Sequence, residues 1–287
     1  ALVSKDQIIS ENRFLTAEEL SKFKTRKMIE CLDLDVFDEI DIAFIVLHGI
    51  NGEVGKIQSL LELRGVPYTG SGVKSSSLAI DKNSSKMIFS AAGVLTPEWV
   101  ILTEKDHEDY DFFEKIRAEF GNQLVVKPND QGSTIGITII EDGNLDDIQK
   151  AVMEASKYSD LVLIERYIEG QEITIGIIGE EPLPLIEIIP ESGFYDYKHK
   201  YTKGQTQYIC PAEISEDITE FMQGIAQTAY LTLDCKGFAR ADFRLSEDGE
   251  PFLMEINTIP GFTSTSLVPM AAKEIGLEFP ELCEKII

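Results

Sequence analysis

The stretch ARADFRLSEDGEPFLMEINTIPG, residues 239–261, holds two apolar-patterned runs on either side of Asp248-Gly249. Asp-Gly between alternating hydrophobic residues signals a hairpin closed by a two-residue type I′ turn. That turn sets the register: Asp242 faces Glu255 and Arg240 faces Asn257, all on one side, while Ala241, Phe243, Met254 and Ile256 fill the other. Carboxylates on directly opposed strand positions repel unless a cation lies between them. Asp, Glu and Asn offer only hard oxygen donors, the set suited to Mg2+ or Mn2+ held jointly by carboxylates and nucleotide phosphates. Arg240, on the same face, is placed to meet a developing oxyanion or a phosphoryl oxygen. A solvated hairpin with a polar outer face is the competing reading, but such faces more often mix Lys and Thr with acids.

An anionic substrate at such a site needs cations elsewhere, because the chain carries 26 Lys+Arg against 50 Asp+Glu, a net charge of −24. A charge this negative repels phosphate backbones and anionic membrane surfaces, which argues against nucleic acid or membrane as partners. Local clusters answer the need. VVKPNDQGSTIGI (125–137) ends an apolar strand on Lys127 and follows it with a Gly-Ser-Thr-x-Gly loop able to fold N–H groups over phosphates. Taken alone such a Gly-rich connection is more often only a turn, and it is no Walker A motif. LIERYIEGQE (163–172) has Glu165, Tyr167 and Ile168 at a strand end and Glu172 beyond a glycine, which suits an adenine hinge and a ribose contact or a charged loop between strands. Lys82, Lys86, Lys200 and Tyr201 are ambiguous singly and suggestive together. His48, where an apolar run meets LHGINGE, is a candidate substrate contact. His107 and His199, in polar surroundings, are expected to be exposed, and Trp99 is expected in the core.

With 287 residues and 43% hydrophobic content, about two domains with real cores are expected. Cys31, Cys210, Cys235 and Cys283 form no C-x-x-C pair, so zinc and disulfide frameworks are disfavoured and a reducing cytoplasm fits. The apolar runs are of strand length, and Lys5 and Asp6 stand where a signal peptide would be apolar, so a non-exported protein is expected. Along the chain we expect a helix over 16–31, a buried strand in DIAFIVLHG (41–49), and helices over 57–64 and 78–92. Strands follow at 99–103, 123–128, 135–140 and 161–167, separated by helices over 105–119 and 145–157. A strand pair at 172–178 and 183–189 and a helix over 216–233 precede the last hairpin.

LHGINGEVGKIQSLLELRGVPYTGSG, AIDKNSSK, VVKPNDQGSTIG, LIERYIEGQEIT, FYDYKHKYTKGQTQYICPA, GFARADFRL and EINTIPGFTSTSLVP, in this order from about Asp41 to Ile287, resemble the D-alanine:D-alanine ligase family of the ATP-grasp superfamily. The resemblance implies an ATP-grasp fold, α/β and α+β in class, with nucleotide between the central and C-terminal of three domains. The divisions expected are 1–80 for an N-terminal α/β substrate domain apparently lacking its first strand and Gly-Gly loop, 81–172 for a central domain with a lid loop, and 173–287 for a C-terminal domain with the metal site. It implies ATP-dependent joining of two D-alanines for peptidoglycan precursor synthesis by a cytoplasmic homodimer using ATP and two Mg2+ or Mn2+ ions.

Residue by residue, Lys82 and Lys127 match the family's ATP-phosphate lysines, Glu165 to Ile168 its adenine segment and Glu172 its ribose ligand. Asp242, Glu255 and Asn257 match its metal ligands. Ser133 and Tyr201 resemble the pair that closes the lid, and Lys200, Ser266 and Leu267 resemble contacts to the γ-phosphate and the second substrate's carboxylate. Arg240 and the Gly261 backbone match the oxyanion site. Tyr201 is generally replaced in relatives that accept D-lactate, so its presence favours an amine nucleophile. Val54 stands where relatives often have an acid. Two alternatives remain: another ATP-grasp carboxylate-amine ligase with different amino acids, and a catalytically silent nucleotide-binding relative.

Overall fold

The computed structural model describes residues 35–49, 51–132, 134–190 and 206–287. The expected helix at 16–31, and Ser133, His199, Lys200 and Tyr201, lie outside the described residues. After a 3-10 turn over Asp35–Glu39 come helices α1 (Lys56–Arg64), α2 (Val73–Ile80) and α3 (Lys82–Ala91). Strand β1 (Trp99–Leu102), helix α4 (Tyr110–Phe120), strands β2 (Leu124–Pro128) and β3 (Thr138–Ile140), helix α5 (Leu145–Ala155) and strand β4 (Val162–Arg166) follow. The C-terminal part runs β5 (Gly170–Ile178), β6 (Glu181–Pro190), β7 (Thr206–Ile209), α6 (Glu216–Thr232), β8 (Phe238–Ser246), β9 (Pro251–Asn257), α7 (Leu267–Glu274) and α8 (Phe279–Ile286).

Two antiparallel sheets result, with strand orders β1-β4-β2-β3 and β7-β6-β5-β8-β9. In the first sheet, Leu102, Leu124, Val126, Val162 and Ile164 point to one face and pack with Phe113 and Ile116 of α4 and Ile148 and Val152 of α5. Strand alternation sends Lys127, Leu163 and Glu165 to the opposite face. In the second sheet, Ile173, Ile175, Ala241, Phe243, Leu253 and Ile256 bury one face against Met222, Ala226 and Tyr230 of α6. The other face is divided lengthwise. At one end Ile178, Ile186 and Phe238 are covered by Val268 and Ala272 of α7 and Leu282 of α8. At the other end it presents Glu172, Arg240, Asp242, Glu255 and Asn257 to a cleft.

Four expectations change. Among the described residues the apolar run at 41–49 forms no strand; it makes a single parallel bridge, Ala43 to Tyr68, and Val46 and Leu47 stay exposed. The helix expected over 78–92 is two helices, because Asp81 ends α2 in extended backbone and caps α3 by accepting from the Ser84 N–H at 2.8 Å. That break puts Lys82 on the first turn of α3. The helix expected over 105–119 starts at Tyr110, after a 3-10 turn over Glu104–Asp106 with a Thr103–Asp106 capping box. His107, expected to be exposed, follows this turn and is buried at 8% exposure.

Candidate active site

The carboxylate wall comes from the last hairpin. Asp242 pairs with Glu255 and Arg240 with Asn257, as the sequence predicts, but by another route. The connection is a three-residue loop, Glu247 to Gly249, with Ser246 N–H bonded to Glu250 O at 3.0 Å and Gly249 at φ +81°. That extra residue shifts the register by one, so Phe243 pairs with Leu253. A bulge at Met254 shifts it back before Glu255 is reached. The two offsets cancel at the site. Between them Leu253, with no exposed surface, takes the core place expected for Met254, which is half-buried.

Around Asp242 the contacts are dense. Arg240 Nε donates to Oδ1 at 2.8 Å and Nη2 to Oδ2 at 2.7 Å, a two-pronged arginine–carboxylate pair. Thr174 Oγ1 on β5 donates to Oδ1 at 2.6 Å. Glu255 Oε2 lies 3.3 Å from Lys82 Nζ, which also donates to Gln131 O at 2.6 Å. Lys82 therefore ties the Gly-rich loop to the metal-ligand candidates. Asn257 Oδ1 accepts from the Ile259 N–H at 3.0 Å, which fixes its carboxamide. Among the described residues no cluster of three or more His, Cys, Asp or Glu side chains could hold a metal. The two carboxylates and one carboxamide thus form an incomplete oxygen shell, which fits a cation completed by phosphate oxygens.

The lysine wall lies on the first sheet. Glu165 has no exposed surface; Lys127 takes its Oε1, and Lys86 Nζ lies 2.9 Å from its Oε2. Burial alone would raise this carboxyl, but the Lys127 and Lys86 charges outweigh it and hold it below the usual range. Tyr167 and Ile168 are gripped by Arg244, whose Nη2 donates to Tyr167 Oη and whose Nε donates to Ile168 O, both at 3.1 Å. Arg244 Nη1 also lies 3.8 Å from Glu172 Oε2. Asn129, just past β2, accepts from Lys82 N–H through its backbone oxygen and from Asn83 N–H through Oδ1. The end of β2 is thereby fixed to the start of α3.

A cleft of about 580 Å3 is lined by Glu172, Arg240, Asp242, Glu255 and Asn257 together with His48, Gly261, Ser266 and Leu267. Lys82, Lys127, Glu165, Tyr167 and Ile168 are outside its lining. Ser266 Oγ accepts from the Thr263 N–H at 2.9 Å and lies 2.8 Å from Thr263 Oγ1, which orients the hydroxyl beside Gly261. His48 is exposed, with Nδ1 3.7 Å from Glu53 Oε1, while Glu53 Oε2 accepts from the Gly49 N–H at 2.9 Å. Trp99 is half-buried rather than in the core: its indole N–H donates to Asn83 Oδ1 at 2.9 Å.

Two residues of this arrangement, Glu53 and Arg244, escape the sequence reading as site candidates. Glu53 sits in the G-E-x-G loop and lines the cleft. Arg244 continues the alternation of Arg240 and Asp242 on β8, which is the signal that could have found it. Lys86 is one α3 turn beyond Lys82, but nothing in its spacing reveals that it is buried.

The family described as D-ala D-ala ligase C-terminus matches residues 88–287, and that described as D-ala D-ala ligase N-terminus matches residues 4–71. The likeness thus begins well before the Asp41 expected from the motifs. The chain is 44% identical over 256 residues to the D-alanine–D-alanine ligase of Desulforamulus reducens, covering 87% of this chain and 81% of that protein. It is 40% identical over 282 residues to that of Syntrophotalea carbinolica, covering 95% and 89%. The crystal structure of D-alanine–D-alanine ligase from Bacillus anthracis superposes with a TM-score of 0.78 at 34% identity, over 91% of this chain and 82% of that one. VanG D-Ala:D-Ser ligase from Enterococcus faecalis gives 0.75 at 35%, over 86% and 71%. Two sheets flanking helices, with a carboxylate wall and a lysine wall, are in this chain the ATP-grasp fold of its relatives, and the chain belongs to the D-alanine–D-alanine ligase family.

Proposed function

We propose that the chain joins two D-alanines into D-alanyl-D-alanine at the expense of ATP, releasing ADP and phosphate, for peptidoglycan precursor synthesis. The observation that carries the reading is the convergence of Arg240, Asp242, Glu255 and Asn257 on one wall of the cleft, in a chain of this family. We read three domains, 1–80, 81–172 and 173–287, with nucleotide between the second and third.

Lys82 and Lys127 bind ATP phosphates as point charges. The backbone of Glu165 to Ile168 meets adenine, and Glu172 meets the ribose. The carboxylate of the first D-alanine attacks the γ-phosphorus, the bond to ADP breaks, and an acyl phosphate forms. The amine of the second attacks that carbonyl, phosphate leaves with its bond pair, and the amine proton is lost. Arg240 and the Gly261 N–H hold the oxyanion of the tetrahedral intermediate. Ser266 and the Leu267 N–H hold the second substrate's carboxylate, with Lys200 at the γ-phosphate and His48 beside the first subsite. Ser133 and Tyr201 close the lid, which keeps water from the acyl phosphate. Asp242, Glu255 and Asn257 would hold Mg2+ or Mn2+, as two ions, whose chemistry is to neutralise charge on the transferring phosphoryl group. A cytoplasmic homodimer completes the reading. Among the described residues no helix is long and apolar enough to cross a membrane.

The test is ADP release with Mg-ATP and D-alanine, with L-alanine, D-lactate and D-serine as other acceptors and the product identified by mass. Release that depends on D-alanine, with dipeptide as product, is the expected result. Release with D-serine but not D-alanine as second substrate would assign a different acceptor, and ATP binding without turnover would overturn the reading.

A further inference from the structure

Lys86 has no exposed surface, so its side chain cannot touch a ligand in the cleft. Its ammonium donates to Thr96 Oγ1 at 2.7 Å and Pro97 O at 3.0 Å, and lies 5.2 Å from the centre of the Trp99 ring. It also pairs with Glu165 Oε2 at 2.9 Å, while Lys127 pairs with the other oxygen of the same carboxylate. Helix α3 and strands β4 and β2 thus meet in a buried row of two positive charges sharing one negative charge.

We propose that Lys86 is a positioning residue for the nucleotide: by sharing Glu165 it prevents Lys127 from being neutralised and leaves one positive charge for a phosphate. This rests on the reading of Lys127 as a phosphate lysine. Without Lys86, Glu165 and Lys127 form a closed neutral pair, and in a buried setting such a pair holds its lysine firmly. With Lys86, the row is short of one anion, and a phosphate supplies it. The charged groups facing Lys86 are Glu165, Lys127 and Lys82. Burial lowers Lys86 to about 8, with Lys127 and Lys82 lowering it and Glu165 opposing. Raising the pH through that value removes the surplus charge, so nucleotide affinity falls. ADP supplies no competing change there, since the second ionisation of its phosphate lies at roughly 6.

The test is calorimetric titration of the full chain with metal-free ADP across about pH 7 to 9.5, for wild type, Lys86→Met, Lys86→Arg and Lys127→Met. At neutral pH, Lys86→Met binds ADP about tenfold more weakly, its KM for ATP rises more than its kcat falls, and its affinity is flat through pH 8. Lys86→Arg, always charged, keeps the affinity and also loses the fall. Unchanged ADP affinity in Lys86→Met, with Lys127→Met weakened, overturns the proposal. Unchanged affinity in Lys127→Met overturns the reading of Lys127 instead. If Lys86→Met does not fold, the wild-type profile decides: affinity that does not fall as pH passes about 8 contradicts the proposal.

Discussion

The two walls carry charge in opposite ways. On the hairpin, Arg240, Asp242 and Glu255 are partly exposed, with side-chain exposures of 14%, 21% and 31%, and they face a cleft. Where α3 meets the first sheet, Glu165 and Lys86 are at 0% and Lys127 at 6%, and they face one another. The first arrangement keeps solvent and ligand as partners; in the second each carboxylate oxygen already has a lysine, and solvent is shut out. Substitutions at the hairpin should therefore strike catalysis and spare stability, and those at the buried row should strike both.

The largest effect expected is on the buried side. Glu165→Ala leaves two lysines without their shared counter-charge and destabilises by about 3–5 kcal/mol, read as a drop in the urea midpoint. A loss below 1 kcal/mol would mean that water already reaches the row. Next comes the hairpin: Asp242→Asn or Glu255→Gln lowers turnover at least ~100-fold, or about 2.7 kcal/mol, while the unfolding midpoint hardly moves. Near-normal turnover in either variant removes that residue from the site. Thr174→Val, which deletes the hydroxyl bonded to Asp242 at 2.6 Å, costs about 1–2 kcal/mol of stability and sharpens the contrast by placing a buried bond beneath the exposed wall. No change in stability would show that the bond is not needed.

The smallest effect is in alkaline stability. Lys86 is held at about 8 in the folded chain against an ordinary 10.5, because burial disfavours its charge. Between these values the unfolded chain binds a proton that the folded chain has lost, so this group's contribution makes stability rise with pH. Below the window its burial penalty is fully present. Wild type should therefore gain on Lys86→Met progressively from about pH 8 to 10.5. A pH-independent difference would mean that Lys86 titrates normally.

How far the sequence could be read follows the same division. Alternation in ARADFRLS and PFLMEIN identifies a two-faced hairpin, and the cross-strand pairing of Asp242 with Glu255 follows from it. The reading reached the right pairs with the wrong loop, because a glycine at φ +81° serves a three-residue loop as well as a two-residue one, and the Met254 bulge is silent in the pattern. The buried row was not legible. LVVKP and VLIER read as apolar strands with a charge near the end, and nothing local shows that these ends meet α3. The failure of 41–49 to form a strand has a similar cause: its apolar run looks buried, but strand identity depends on a neighbour, and beyond the Ala43–Tyr68 bridge the described residues supply none.

The most direct test of the division between walls is to measure metal-free ADP affinity and D-alanine-dependent turnover on the same preparations of Lys127→Met and Glu255→Gln. The account predicts that Lys127→Met weakens ADP binding about tenfold or more, while Glu255→Gln leaves it within about twofold and loses turnover ~100-fold. Equal loss of ADP affinity in both variants, or normal turnover in Glu255→Gln, would contradict it.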